Sequence, residues 1–170
     1  MPKSRVVILG CLGALVAFGL MAACGVGACL YLVRDPDEIE VVLEKNGEAV
    51  VGGLSDLIVQ IRNVSGSTVT IGDVDIDDTL LSGFTVESVE PPPKSSTQVS
   101  FLDARSHTFD LAIPPFETRA LRFRLRGVRE GIHRGDVTVY VGLRSRSLVG
   151  EIAVGPGGAG VPPDDEGGES

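Results

Sequence analysis

The sequence predicts an all-β fold: an Ig-like antiparallel β-sandwich of seven or eight strands, preceded by one N-terminal transmembrane helix. Three observations carry that expectation. From residue 38 onward, apolar and polar residues alternate over short runs, the period of a half-buried strand. Turn residues separate the runs at regular intervals and no window of a dozen residues carries a helical stripe, which points to a sandwich or barrel. One inward face per strand fits the sandwich better. Ahead of these runs, Val6 to Val33 extends for 28 residues without a charge, where a helix needs only about 20 to cross a bilayer.

The apolar run sets the first expectation about location. Lys3 and Arg5 precede it, whereas Arg34 is followed at once by Asp35, Asp37, Glu38 and Glu40. Basic residues near a span stay on the cytoplasmic side. Residues 1–5 are therefore expected in the cytoplasm, residues 6–33 in the membrane and the rest outside. Two other readings stand beside the uncut span. Met21-Ala22-Ala23-Cys24 resembles a bacterial lipobox, as does Val26-Gly27-Ala28-Cys29, and that resemblance implies lipidation at Cys24 or Cys29. A cleaved signal peptide and a secreted product form the other. A mature chain opening CGVGACLYLV is more apolar than a tether should be, which favours the uncut span. Gly19, Ala23 and Gly27 sit four apart, and Gly13 with Ala17 repeats the interval. Such spacing lets membrane helices approach and pair, although Gly and Ala are common in membrane helices for other reasons.

Charge narrows the partners. The net charge of −8 is uneven, because residues 1–34 carry three basic side chains and no acid. Residues 35–170 then hold 12 basic against 23 acidic side chains, a net charge of −11. An outer part so acidic argues against nucleic acid and against lying on anionic lipid. All three cysteines, Cys11, Cys24 and Cys29, fall in the apolar run. The outer domain therefore relies on its apolar core, with no disulfide to help.

Strand by strand, Glu38–Glu44 opens the domain and Asn46-Gly47 closes that run with a strong turn dipeptide. Leu54–Asn63 alternates cleanly, with Leu57, Val59 and Ile61 on one face. Val69–Ile76 follows, its register shifting at Gly72-Asp73 in the manner of a bulge. Phe84–Val89 ends at Pro91-Pro92-Pro93, which cannot continue a ladder. Val99–Leu102 and His107–Ile113 alternate less clearly, Arg119–Leu125 and Val137–Leu143 strictly, and Leu148–Val154 completes a domain over 38–154. Residues 155–170, GPGGAGVPPDDEGGES, hold too few large apolar side chains to order themselves and are expected to be disordered.

Three of these runs resemble bacterial Ig-like extracytoplasmic domains, including the CARDB-like cell-adhesion-related modules. LIVQIRNVSGSTVTIGDVDI resembles their opening pair of strands around an Asn and a small polar turn. IPPFETRALRFRL resembles their proline-started fifth strand, and GIHRGDVTVYV their closing hairpin. The likeness is one of fold. It implies adhesion, scaffolding or presentation of a surface, without a shared active site.

Candidate sites are few. Asp73, Asp75, Asp77 and Asp78 form the densest acidic cluster, and alternating aspartates open several calcium loops. The loop glycine is missing, since Asp78 stands there, and Phe84 takes the place of the closing glutamate. A strand with Val74 and Ile76 buried and the acids solvated accounts for the same residues. Arg122, Arg124 and Arg126 share one face of a strand within a stretch of eight arginines from Arg119 to Arg146. That face could bind a carboxylate or phosphate partner. It could equally pair across strands with Asp56 or the Asp73–Asp78 cluster. His107 and His133 lie apart, and no third ligand is spaced for a metal. Asn63-Val64-Ser65 matches a glycosylation acceptor but reads as a turn former in a bacterial-type module. No cofactor is implied and no catalytic motif appears. The sequence thus describes a membrane-anchored extracytoplasmic binding or structural module of a cell envelope, with another envelope protein rather than nucleic acid as its expected partner. The alternative is a lipoprotein or an accessory subunit of a larger membrane complex.

Overall fold

Alternation sorts each strand's side chains into two rows, and pressing one row from each of two sheets together gives the architecture. The computed structural model describes residues 35–157. The apolar run with Cys24, Cys29 and its small-residue spacings lies outside the described residues, as does residue 158 onward. Among the described residues no helix is long and apolar enough to cross a membrane.

Nine strands follow in order: β1 (Ile39–Asn46), β2 (Leu54–Asn63), β3 (Val69–Asp77), β4 (Phe84–Glu90), β5 (Ser95–Val99), β6 (Ala104–Ile113), β7 (Thr118–Gly127), β8 (Gly131–Val141) and β9 (Arg144–Val154). One four-residue helix, α1 (Asp78–Leu81), separates β3 from β4. One sheet has the order β1-β2-β7-β4 and the other β5-β6-β3-β8-β9, with every strand pairing antiparallel. The all-β, Ig-like sandwich expected from the alternation is therefore present. Its nine strands among the described residues exceed the expected seven or eight.

The inward rows meet in one core. Val59, Ile61, Val74, Ile76, Leu121, Phe123, Leu125, Val137 and Val139 are all fully buried. The shift expected at Gly72-Asp73 is there, as the β3–β6 register jumps between Ile71 and Asp73. One local expectation needs correction. The run Val99–Leu102 is not a strand: β5 ends at Val99, and Ser100 to Asp103 make the turn into β6. Asn46-Gly47 closes β1 as expected, with Gly47 at φ +88°, and leads into a loop over residues 47–53.

That loop ties the two sheets together. Val51 N–H donates to Gly155 (3.0 Å) and Gly155 N–H to Ala49 (2.8 Å), which joins the loop to the chain just beyond β9. Gly52 N–H donates to the Gly127 carbonyl (2.8 Å), which joins it to β7 of the other sheet. At the opposite end Asn63 does similar work, fully buried at the close of β2. Its Nδ2 donates to the carbonyls of Ser67 (2.7 Å), Ile113 (2.9 Å) and Pro114 (3.0 Å), while Oδ1 accepts from Ser65 N–H and hydroxyl. The turn-forming role expected for Asn63 is the one it has.

Two substitutions test this packing. Phe123→Ala is expected to lower unfolding free energy by about 3–5 kcal/mol, because a fully buried ring leaves a cavity. Gly127→Ala would press its new methyl into the Val50 carbonyl oxygen and is expected to cost about 1–3 kcal/mol. Urea unfolding of the full chain in mild detergent, followed by far-ultraviolet circular dichroism, measures both.

Candidate functional site

Sheet order decides which charged side chains can meet. Arg122, Arg124 and Arg126 lie on the outer face of β7, with β2 on one side and β4 on the other. Register sets Arg124 opposite Asp56 and Arg122 opposite Ile58. The Asp56 carboxylate lies 3.4 Å from Arg124 Nε and 3.9 Å from Arg122 Nε. Arg126 Nε donates to Glu87 at 2.7 Å, and its Nη1 to the Gly52 carbonyl at 3.0 Å. The arginine row is thus engaged by acids of its own sheet. Pairing with the Asp73–Asp78 cluster is ruled out by position, since β3 belongs to the other sheet.

Asp73, Asp75 and Asp77 alternate along the outer face of β3 in the five-stranded sheet instead of wrapping a loop, Asp78 opens α1, and each has its own partner. Asp73 Oδ1 accepts the Thr108 hydroxyl (2.7 Å), Asp77 Oδ2 accepts the Asp136 N–H (2.9 Å), and Asp78 accepts from Gln98 Nε2. Among the described residues no three His, Cys, Asp or Glu side chains converge as a metal site.

Asp75 departs from the solvated strand acid that the sequence suggests. It is only 8% exposed. The reason is its place on β3, the central strand, where neighbours flank it on both sides. One register line crosses all five strands there: Thr97, Ser106, Asp75, Thr138, Ser147. The carboxylate sits at its middle, among hydroxyls. Tyr140 of β8 hydrogen-bonds to it, and burial followed by the Asp75 charge holds the phenol above its ordinary ionisation range. Asp75 Oδ1 remains buried with no donor. The adjoining register positions add Ser95, Thr108, Asp73 and Ser145, so no lysine or arginine stands among these central residues. The result is a flat face of hydroxyls and carboxylates, able to accept hydrogen bonds and attract cations.

Both histidines are core residues. His107 packs edge-on against Phe123, ring centroids 5.2 Å apart, with Nδ1 2.8 Å from the Ser96 hydroxyl and Nε2 buried without a partner. His133 stands against Phe84, with Nδ1 3.1 Å from Ser82 Oγ. Its Nε2 faces the Arg129 carbonyl at 3.0 Å and so carries a proton. Gly83 lies against the same ring so closely that a Cβ there would overlap it. Each imidazole thus has a serine on one nitrogen, but the other nitrogen meets apolar core or a carbonyl, not a carboxylate. A relay through either ring lacks its third member.

The chain matches no protein-family model and no curated protein. Among solved structures it is similar to a cohesin module from a family 33 glycoside hydrolase of Clostridium perfringens. The identity is 13% and the TM-score 0.50, over 70% of this chain and 98% of that one. It is also similar to Escherichia coli alpha-2-macroglobulin, at 14% identity and TM-score 0.48, over 70% of this chain and 9% of that one. The CARDB domain of a Pyrococcus furiosus protein matches at 16% identity and TM-score 0.41, covering 72% and 90%. At these identities the likeness is one of fold.

His107 gives the domain a measurable pH response. Burial first, then the neighbouring Arg105 charge, holds its ionisation below the ordinary 6.5, against a smaller opposing effect of Asp75. As pH falls through 6.5 the unfolded chain takes up a proton that the folded chain does not. This contribution to stability is therefore complete above 6.5 and is lost as the pH drops toward the folded value. His107→Gln is expected to flatten the fall in urea midpoint below pH 6.5 relative to the wild type. Identical slopes in the two chains would remove His107 as the cause.

Proposed function

We propose that this chain is a membrane-anchored extracytoplasmic binding or structural module of a cell envelope, without catalysis of its own. Its working surface is the outer face of the five-stranded sheet. The carrying observation is the line Thr97, Ser106, Asp75, Thr138, Ser147, in which a carboxylate is kept in the middle of an exposed face with one oxygen unsatisfied. An unmet buried acceptor costs stability, so keeping one on a surface is readily understood as a binding feature. The charge-free run of residues 6–33 supports the anchor. The engagement of both histidines in core packing supports a module without chemistry. The lipobox-like Met21–Cys24 favours a second reading, a lipoprotein or accessory subunit that carries the same sandwich on a lipid anchor.

Protease added to intact cells tests the location. The sandwich is expected to be digested from outside while cytoplasmic markers survive. A sandwich protected until the cells are opened would sink the proposal. The intact mass of the extracted chain separates the anchors, as lipid mass on a chain starting at Cys24 or Cys29 replaces the helix by the lipoprotein.

A further inference from the structure

We infer that the outer face of the five-stranded sheet docks a lysine- or arginine-bearing polypeptide segment, whose cation is received at Asp73, Asp75 and Tyr140. This inference rests on the reading of the sandwich as a binding module and adds the class of its partner.

Three features point to that occupant. The first is the unsatisfied acceptor. Asp75 is more than nine-tenths buried, Tyr140 takes part of its carboxylate, and Oδ1 has no donor within the described residues. A partner that brings an N–H donor satisfies it. Tyr140, which hydrogen-bonds Asp75, is itself half-buried, so the site borders solvent at that side chain.

The second is charge. Asp73 and Asp75 stand two residues apart on one face, with hydroxyls rather than basic side chains on the neighbouring strands. The opposite sheet differs, because its acids Asp56 and Glu87 already hold arginines. On the five-stranded sheet Lys94 is taken by Asp110, away from Asp73 and Asp75, so a cation from outside meets no basic side chain in register with those two acids. The same charge repels phosphate, so nucleic acid and anionic lipid are poor occupants.

The third is shape and donor chemistry. Five strands spaced about 4.8 Å apart make a face about 19 Å wide. Its hydroxyls can both donate to and accept from a backbone. A bare divalent ion needs several converging oxygens, and no three acids converge here. A guanidinium or ammonium carried on a peptide meets both the charge and the width.

The chain supplies its own reporter. It has two tyrosines and no tryptophan, so Tyr31→Phe leaves Tyr140 as the sole source of tyrosine emission. Full chain carrying that change, in neutral detergent at physiological salt, is titrated with a short synthetic peptide of alternating arginine and serine. The expected result is a saturable change in tyrosine emission. Adding Asp73→Asn with Asp75→Asn is expected to weaken it by about tenfold or more. Glu40→Gln with Glu44→Gln removes the same charge from the other sheet and is expected to change it less than about twofold. Hydrogen exchange of the unsubstituted chain with peptide should show protection on β3, β6 and β8, which keeps the test valid should the aspartate variants unfold. Equal weakening by both pairs, no change in emission, or the same change with calcium or magnesium alone would overturn the inference. The outcomes stay separable from the location test: a chain protected from external protease that binds the peptide loses only its placement, and an exposed chain that ignores the peptide loses only its partner.

Discussion

Two facing rows of branched and aromatic side chains, shut away from water, hold this domain together. No cysteine falls among the described residues, so nothing covalent assists them. Each Val, Leu, Ile or Phe so buried contributes about 1.5–3 kcal/mol, against an ordering entropy of similar total size. The polar groups admitted to that interior are consequently matched with care. Asn63 makes five hydrogen bonds to four residues with the two ends of its amide, and His133 is held between a hydroxyl and a carbonyl. Where an atom is left unmatched, as at Asp75 Oδ1 and His107 Nε2, the exception is informative.

How much of this the sequence shows depends on whether a feature is local. The alternation in β2 names Leu57, Val59 and Ile61 as core because period two is written into the strand itself. The bulge in β3 is legible for the same reason, as a visible slip in the pattern. By contrast, β5 reads SSTQV, which has no apolar row at all. It is a strand because β6 offers it an edge, and that is a property of the neighbour. The same limit hides Asp75. Its outward position can be read from DVDID, but its burial follows from β3 lying between β6 and β8, and sheet order is not written in any one strand.

The arginine row shows the converse. From sequence it is the most conspicuous candidate, three cations on alternate positions of one strand. In the fold Asp56 and Glu87 stand beside it, and exposed pairs of this kind bring at most about 1 kcal/mol each. The arginines lie on β7, which is paired on both sides by β2 and β4, so the row sits inside the sheet's outer face and not on an edge. The quieter face, with one buried aspartate among hydroxyls, carries the more specific chemistry.

The described chain enters the sandwich at the start of β1 and leaves after β9 at the opposite end, because Ile39 pairs with the last residue of β2 whereas Val154 pairs with the first of β8. A pull applied between those two points runs along the strands. Ladder hydrogen bonds lie across that direction, so the β1–β2 and β8–β9 ladders resist in shear, many bonds at once, instead of opening one by one like a zip. The loop that ties Gly155 and Gly127 to residues 49–53 closes the same path at the far end. A module built this way resists tension through its strand directions, and how long it lasts under load is governed by its rate of unfolding rather than by its equilibrium stability.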